Sequence, residues 1–318
     1  MVMWLRSISE AVVSPSPKPA GKPVRSRRHR SFAPRLNAEM ACDTAFRVMA
    51  RRYLADLNQH HEATCTGDPG ALHQMRIALT HLRTVILFFS PMVDDAARTQ
   101  IREELKWLNT QLGGVRDLDV AIERIKSING KQPRTTTQFR LWSAKRAEGH
   151  RLLTRTLRSA RFRRLIERLI AWIENGAWST RHGKQAAKDR AIPIAHYGAS
   201  KLAQWEKKLL KKCRKLREMN PKERHRLRLL NKKLSYSIES FEDLFVGKGF
   251  AKQKAALKHL RKAQRSLGQL NDDVRGRALA AALHGDDVPT PPLLGPKREK
   301  RLLKTTAAAY GKLAALNM

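Results

Sequence analysis

Two short patterns in this chain set the same side chains in the same order. In LHQMRIALTHLRTVILFF, residues 72–89, a histidine and an arginine stand one helical turn apart as His73 and Arg76. In HRLRLLNKKLSYSIESF they return as His225 and Arg228, each 152 residues on. An imidazole and a guanidinium at i and i+3 share a helix face. Arg can bind phosphate oxygens through two parallel bonds, and Lys adds a point charge. Arg83 prolongs the first row, and Lys232 and Lys233 prolong the second. The chemistry offered is anion capture by fixed cations, and no base or aromatic ligand is needed for it.

Catalytic chemistry is poorly served by the remaining residues. The sequence has no G-x-S-x-G, no catalytic Cys–His signature and no glycine-rich phosphate loop, and its acids are sparse and mostly beside Lys or Arg. The expectation is a protein that is not an enzyme and uses no metal or cofactor. Asp117 and Asp119 in LGGVRDLDV invite a metal reading, but residues two apart on a helix point to different sides. They are expected instead to cap a new helix (Asp117) and to complement its dipole (Asp119) after Gly113-Gly114 ends the previous one. Arg116, whose counterpart in LGQLNDDV is Asn271, is left to serve an anion.

The elements that must hold these groups are helices. Leu72, Met75, Leu79, Leu82, Ile86 and Phe89 recur in steps of three and four, the seam of a helix packed against others. The cationic row runs beside that seam. Leu227, Leu234, Ile238 and Phe241 form the second seam. Further helices are expected from about 37 to 60, 95 to 112, over 138–174 as one or two arginine-rich helices, 195–219, 222–245, 251–267, then to about 283, and 297–316. Breaks fall at Gly67-Asp68-Pro69-Gly70, Ser90-Pro91, Asn175-Gly176, Asn220-Pro221 and the loop HGDDVPTPPLLGP. Trp107, Trp142, Trp172, Phe88, Phe89 and Phe241 fall on apolar faces as core. No segment reads as a strand, so the expected class is all-α.

Order repeats as well as spacing. LGGVRDLDV follows the first histidine helix and LGQLNDDV the second, with Leu112/Leu267, Gly113/Gly268 and Asp117/Asp272 each 155 residues apart. Two ordered matches at nearly one offset point to an internal duplication and a pair of pseudo-symmetric helical bundles. The expected organisation is a disordered basic arm at 1–36, a first bundle at 37–190 and a second at 191–318.

Charge narrows the partner. Lys and Arg number 64 against 28 Asp and Glu, a formal net charge of +36 and a pI near 11.1, which calls for a polyanion or an anionic surface. A sequence-neutral nucleic-acid binder would use the same charge, and a membrane-surface binder would need exposed apolar faces that here look committed to packing. Three scattered cysteines fit a reducing, cytoplasmic setting, and no apolar run reaches membrane-spanning length.

An H-x-x-R helix, an LG-x-x-RD motif, a second H-x-x-R helix with a lysine-rich continuation and an LG-x-L-ND motif, with HRLLTRTLRSARFRRLIERLIAWI between them, resemble the CHAD family, the conserved-histidine α-helical domains. The resemblance covers roughly residues 38–318. It implies two bundles related by a pseudo-twofold, a basic groove or pore, inorganic polyphosphate as the ligand and association with polyphosphate granules. It departs from the family pattern at Thr80 and His81 and at Ser235, where arginine is usual, which implies an asymmetric site. The binding residues expected are His73, Arg76, Arg83, Arg116, His225, Arg228, Lys232 and Lys233.

Overall fold

The computed structural model describes residues 35–128, 137–180, 184–245, 247–284 and 294–316. Most of the expected N-terminal arm and most of the loop HGDDVPTPPLLGP lie outside the described residues. Among the described residues the regular elements are helices, and the one bridge joins Ala41 to Pro193. The chain is all-α, as the apolar periodicity requires. It divides into two units, residues 42–191 and residues 192–316 with 35–41.

The unit at 42–191 contains α1 (Cys42–Gln59), α2 (His61–Cys65), α3 (Pro69–Phe88), α4 (Ala96–Ile128), α5 (Thr137–Leu157), α6 (Ala160–Asn175) and α7 (Lys184–Ala191). Gly67, at φ 89°, turns the chain before α3, where Asp68 caps the helix by accepting from Gly70 N at 2.7 Å and Pro69 occupies the first turn. The seam predicted on α3 is the buried one: Leu72, Met75, Leu79, Leu82 and Phe89 are fully covered. Phe46 of α1 meets the rings of Phe89, Trp172 and Trp178 edge-on at 5.7, 5.7 and 5.2 Å. Asp95 holds this cluster by accepting from Trp172 Nε1 at 3.0 Å and Trp178 N at 3.2 Å. Gly176 is the only residue type that fits beside it, since a Cβ there would lie 2.4 Å from Trp178 Nε1.

The second unit contains α8 (Ile194–Cys213), α9 (Pro221–Ser240), α10 (Gly247–His284) and α11 (Pro296–Ala315). Residues 38–41 run beside its start, with Ile194 N donating to Met40 O at 2.8 Å. Asn220 and Glu223 form a reciprocal capping box at the head of α9, each side chain accepting from the other's backbone N–H at 3.0 and 2.9 Å. Leu227, Leu234, Ile238 and Phe241 are fully buried, as their spacing predicts.

Two expectations fail in the same way. Gly113-Gly114 does not end a helix, because α4 runs unbroken from Ala96 to Ile128, and α10 likewise passes through LGQLND without a turn. Glycine in a helix interior costs only about 1 kcal/mol relative to alanine, which packing against neighbouring helices outweighs. Asp117 therefore caps nothing, and Asp119 lies far from any helix start. The arginine-rich stretch divides into α5 and α6 at Ser159, whose Oγ accepts from Phe162 N at 3.2 Å.

Candidate functional site

On α3 the row beside the seam is partly open to solvent. His73 is exposed, while Arg76 and Arg83 are half-buried. Arg76 reaches across to α4, where Nη1 donates to Gly113 O at 3.3 Å and lies 4.0 Å from Asp117 Oδ1. Its guanidinium is thus held in place by the helix that bears the LGG motif. Burial first, and then the nearby charge of Arg102 on α4, lowers the Arg83 pKa below its ordinary value. Arg83 and Arg102 therefore repel each other across α3 and α4.

Arg116, expected to be open to an anion, carries an ion pair to Glu123 at 3.4 Å, with the Glu123 side chain 60% exposed. The Arg116 side chain itself is only 18% exposed, so an anion reaching it has to displace Glu123. Thr80 turns inward along its own helix and donates to Arg76 O at 2.7 Å, and His81 is buried with its ring stacked on Tyr53 at 4.5 Å. The two positions where the first motif lacks arginine have become structural.

In the second unit the same pairing of helices recurs. His225 Nδ1 lies 2.5 Å from Asn271 Oδ1 on α10. An amide oxygen only accepts, so in this contact Nδ1 carries the proton and donates. Arg228 is half-buried, and its Nε lies 3.9 Å from where a Cβ on Gly268 would sit. Gly113 stands in the same relation to Arg76, 4.0 Å from Nη2. In both units the H-x-x-R arginine lies over the glycine of the LG motif. Lys232 and Lys233 are half-buried beside Asn231, which is wholly buried and anchors this turn: Nδ2 donates to Leu260 O at 3.1 Å, and Tyr310 OH donates to Oδ1 at 3.1 Å.

Sequence reasoning missed a buried charge network in the first unit. Asp119 Oδ1 accepts from Arg146 Nε at 2.6 Å and lies 3.1 Å from His150 Nε2, both on α5. Burial alone would raise the Asp119 pKa; the hydrogen bonds from His150 and Arg146, with their charges, outweigh it and hold the carboxyl below the usual range. The legible signal was Arg146 and His150 four residues apart, one face of one helix. Trp107, assigned to the core, is only half-buried and is covered by the Arg161 guanidinium 4.0 Å above its ring.

One group among the described residues has the makings of a metal set, His61, Glu62 and Cys65, whose donor atoms lie within 4.8 Å of one another. His61 Nε2 faces Leu157 O at 3.1 Å, Glu62 binds Arg158 at 3.2 Å, and burial raises the Cys65 thiol pKa. Each donor is engaged elsewhere or held protonated. No described helix is long and apolar enough to cross a membrane.

The family model described as CHAD domain matches residues 48–281. Among solved structures the chain is similar to the CHAD domain from the plant Ricinus communis, at 24% identity and a TM-score of 0.67 over 93% of each chain. It is also similar to PptA from Streptomyces chartreusis, at 14% identity and a TM-score of 0.51 over 87% of this chain and 97% of that one. At these identities the two structures speak to fold. No curated protein matches the sequence.

Proposed function

The chain belongs to the CHAD domain family, and on that premise we propose that it binds inorganic polyphosphate without catalysing a reaction on it, and that this binding takes it to polyphosphate granules. His73, Arg76, Arg83 and Arg116 make the contacts from the first unit, and His225, Arg228, Lys232 and Lys233 from the second.

The observation that carries this reading is the recurring contact of the H-x-x-R arginine with the helix bearing the LG motif: Arg76 on Gly113 O, and Arg228 over Gly268. Cations held on rigid helices lose little freedom when a charged polymer arrives, so more of the Coulomb attraction is kept as affinity. A uniform chain of phosphates asks for repeated cations and for no base readout. Binding then draws on release of condensed counterions, by analogy with other polyanions, and weakens steeply with salt.

The test is competition at one fixed salt concentration, with labelled long-chain polyphosphate bound to the protein and unlabelled duplex or single-stranded nucleic acid added at equal phosphate content. Polyphosphate is expected to stay bound. Its displacement by nucleic acid would sink the reading. R228E/K232E should weaken polyphosphate binding at least tenfold while circular dichroism stays unchanged; unaltered affinity would place the site on other residues.

A further inference from the structure

The phosphate-binding assignment leaves the arginines of α5 and α6 unused. Between Lys145 and Lys184 the chain contains no lysine, yet it carries Arg146, Arg151, Arg155, Arg158, Arg161, Arg163, Arg164, Arg168 and Arg181, five of them within the ten residues 155–164 that form the corner between the helices. Arg146, Arg158 and Arg161 are engaged by Asp119, Glu62 and Glu104. Arg151, Arg155, Arg163, Arg164 and Arg168 are exposed and pair with no described acid. A solvated surface normally mixes signs; here Glu167 alone offsets the exposed arginines of α6.

We propose that this arginine face, Arg151 and Arg155 on α5 with Arg163, Arg164 and Arg168 on α6, is a docking surface for the phosphodiester backbone of duplex nucleic acid. Charge complementarity sets the class, and residue type narrows it, since an all-arginine face favours bidentate phosphate oxygens. Arginines four residues apart, 151 with 155 and 164 with 168, are spaced about 6 Å along their helices, near twice the ~3.4 Å axial rise per phosphate on one strand.

Other polyanionic occupants fit less well. Single strands are held by stacking on exposed aromatic rings; Trp142, Phe162 and Trp172 of these helices are buried, and the half-buried Phe139 stands about three turns before Arg151, away from the corner. An anionic membrane wants a continuous apolar face, whereas the exposed apolar residues here, Leu141 and Leu152 on α5 and Ile170 on α6, stand among polar and charged neighbours. The face uses none of the residues assigned to polyphosphate, so one molecule can hold both polymers.

R155E/R164E/R168E tests this against K208E/K211E/K215E, an equal charge reversal on exposed lysines of the other unit. Binding of a random-sequence duplex, of polyphosphate and of phosphatidylserine vesicles is measured across a salt series. The arginine variant should lose at least tenfold in duplex affinity and flatten the log–log salt slope by roughly 2 to 3, while its polyphosphate affinity stays within threefold. The lysine variant should keep most duplex binding. R155K/R164K/R168K, which cannot misfold through charge reversal, should lose part of the duplex affinity because the fork is gone. The proposal fails if the wild-type protein ignores duplex, if both reversals weaken duplex equally, if polyphosphate binding falls in parallel, or if vesicle binding alone is lost. Loss of polyphosphate binding in R228E/K232E with duplex binding intact separates this face from the polyphosphate site.

Discussion

Helices α3 and α9 share a motif and differ at their centres. Where α3 buries Leu79, the matching position of α9 buries Asn231, and both side chains are wholly covered. Leu79 needs nothing beyond apolar contact. Asn231 is tolerable only because Leu260 O accepts from it and Tyr310 OH donates to it, a carbonyl from α10 and a hydroxyl from α11. The polar anchor fixes the angular position of the turn that bears Lys232 and Lys233, whereas the same turn of α3 carries Thr80 and the buried His81. A similar pattern of side chains has thus been given a specified polar register in one unit and a plain apolar one in the other. At its centre the lysine-bearing helix is held by hydrogen bonds, whereas the matching position of α3 is held by apolar packing.

Exchanging the two centres tests this most severely. Leu79→Asn puts an amide among apolar side chains with no partners and should destabilise the protein by about 4 kcal/mol. Asn231→Ala strands the hydroxyl of Tyr310 and should cost about 2 kcal/mol. Both are read from urea midpoints, and equal small losses in the two would remove the distinction.

The acids of the two LG motifs give the next contrast. Asp119 faces Arg146 and His150, while Asp273 accepts from the backbone N–H of Leu294 at 3.0 Å. Asp119→Asn leaves two cationic or polar groups around a buried amide and should cost about 3 kcal/mol at neutral pH; Asp273→Asn keeps an acceptor and should cost about 1 kcal/mol. Because the folded-state pKa of Asp119 is depressed, its contribution is present above the unfolded value of about 4 and is lost as the pH falls through the folded value. Stability measured from pH 7 down to pH 2 should therefore fall less in Asp119→Asn than in the wild type. Parallel curves would mean that Asp119 is not the linked group.

The smallest effect has the opposite sign. A Cβ at Gly113 or Gly268 would meet the H-x-x-R arginine at 4.0 or 3.9 Å, ordinary contact distance. Gly113→Ala and Gly268→Ala should each stabilise by about 0.5 to 1 kcal/mol, visible as a raised Tm. A loss at either position would show that the arginine needs the space.

Helical class, the two seams and the cationic rows beside them were legible because each depends on spacing within a single helix. The glycine pairs misled, since a local rule for helix ends was overruled by packing along α4 and α10. Asp119 misled for a related reason: its partners lie 27 and 31 residues away, on a helix whose docking the spacing of acids does not encode. The exposed arginines of α5 and α6 were visible as composition, but their freedom from acids depended on which of them reached Glu62 and Glu104.

Periodicity and charge, both properties of neighbouring residues along one chain, determined that this protein would be helical, strongly basic and furnished with two histidine–arginine rows. Tertiary structure alone decided which charges are spent inside the fold and which face solvent. Hydrogen bonds and ion pairs act over a few ångströms, and only folding brings side chains distant in sequence within that range.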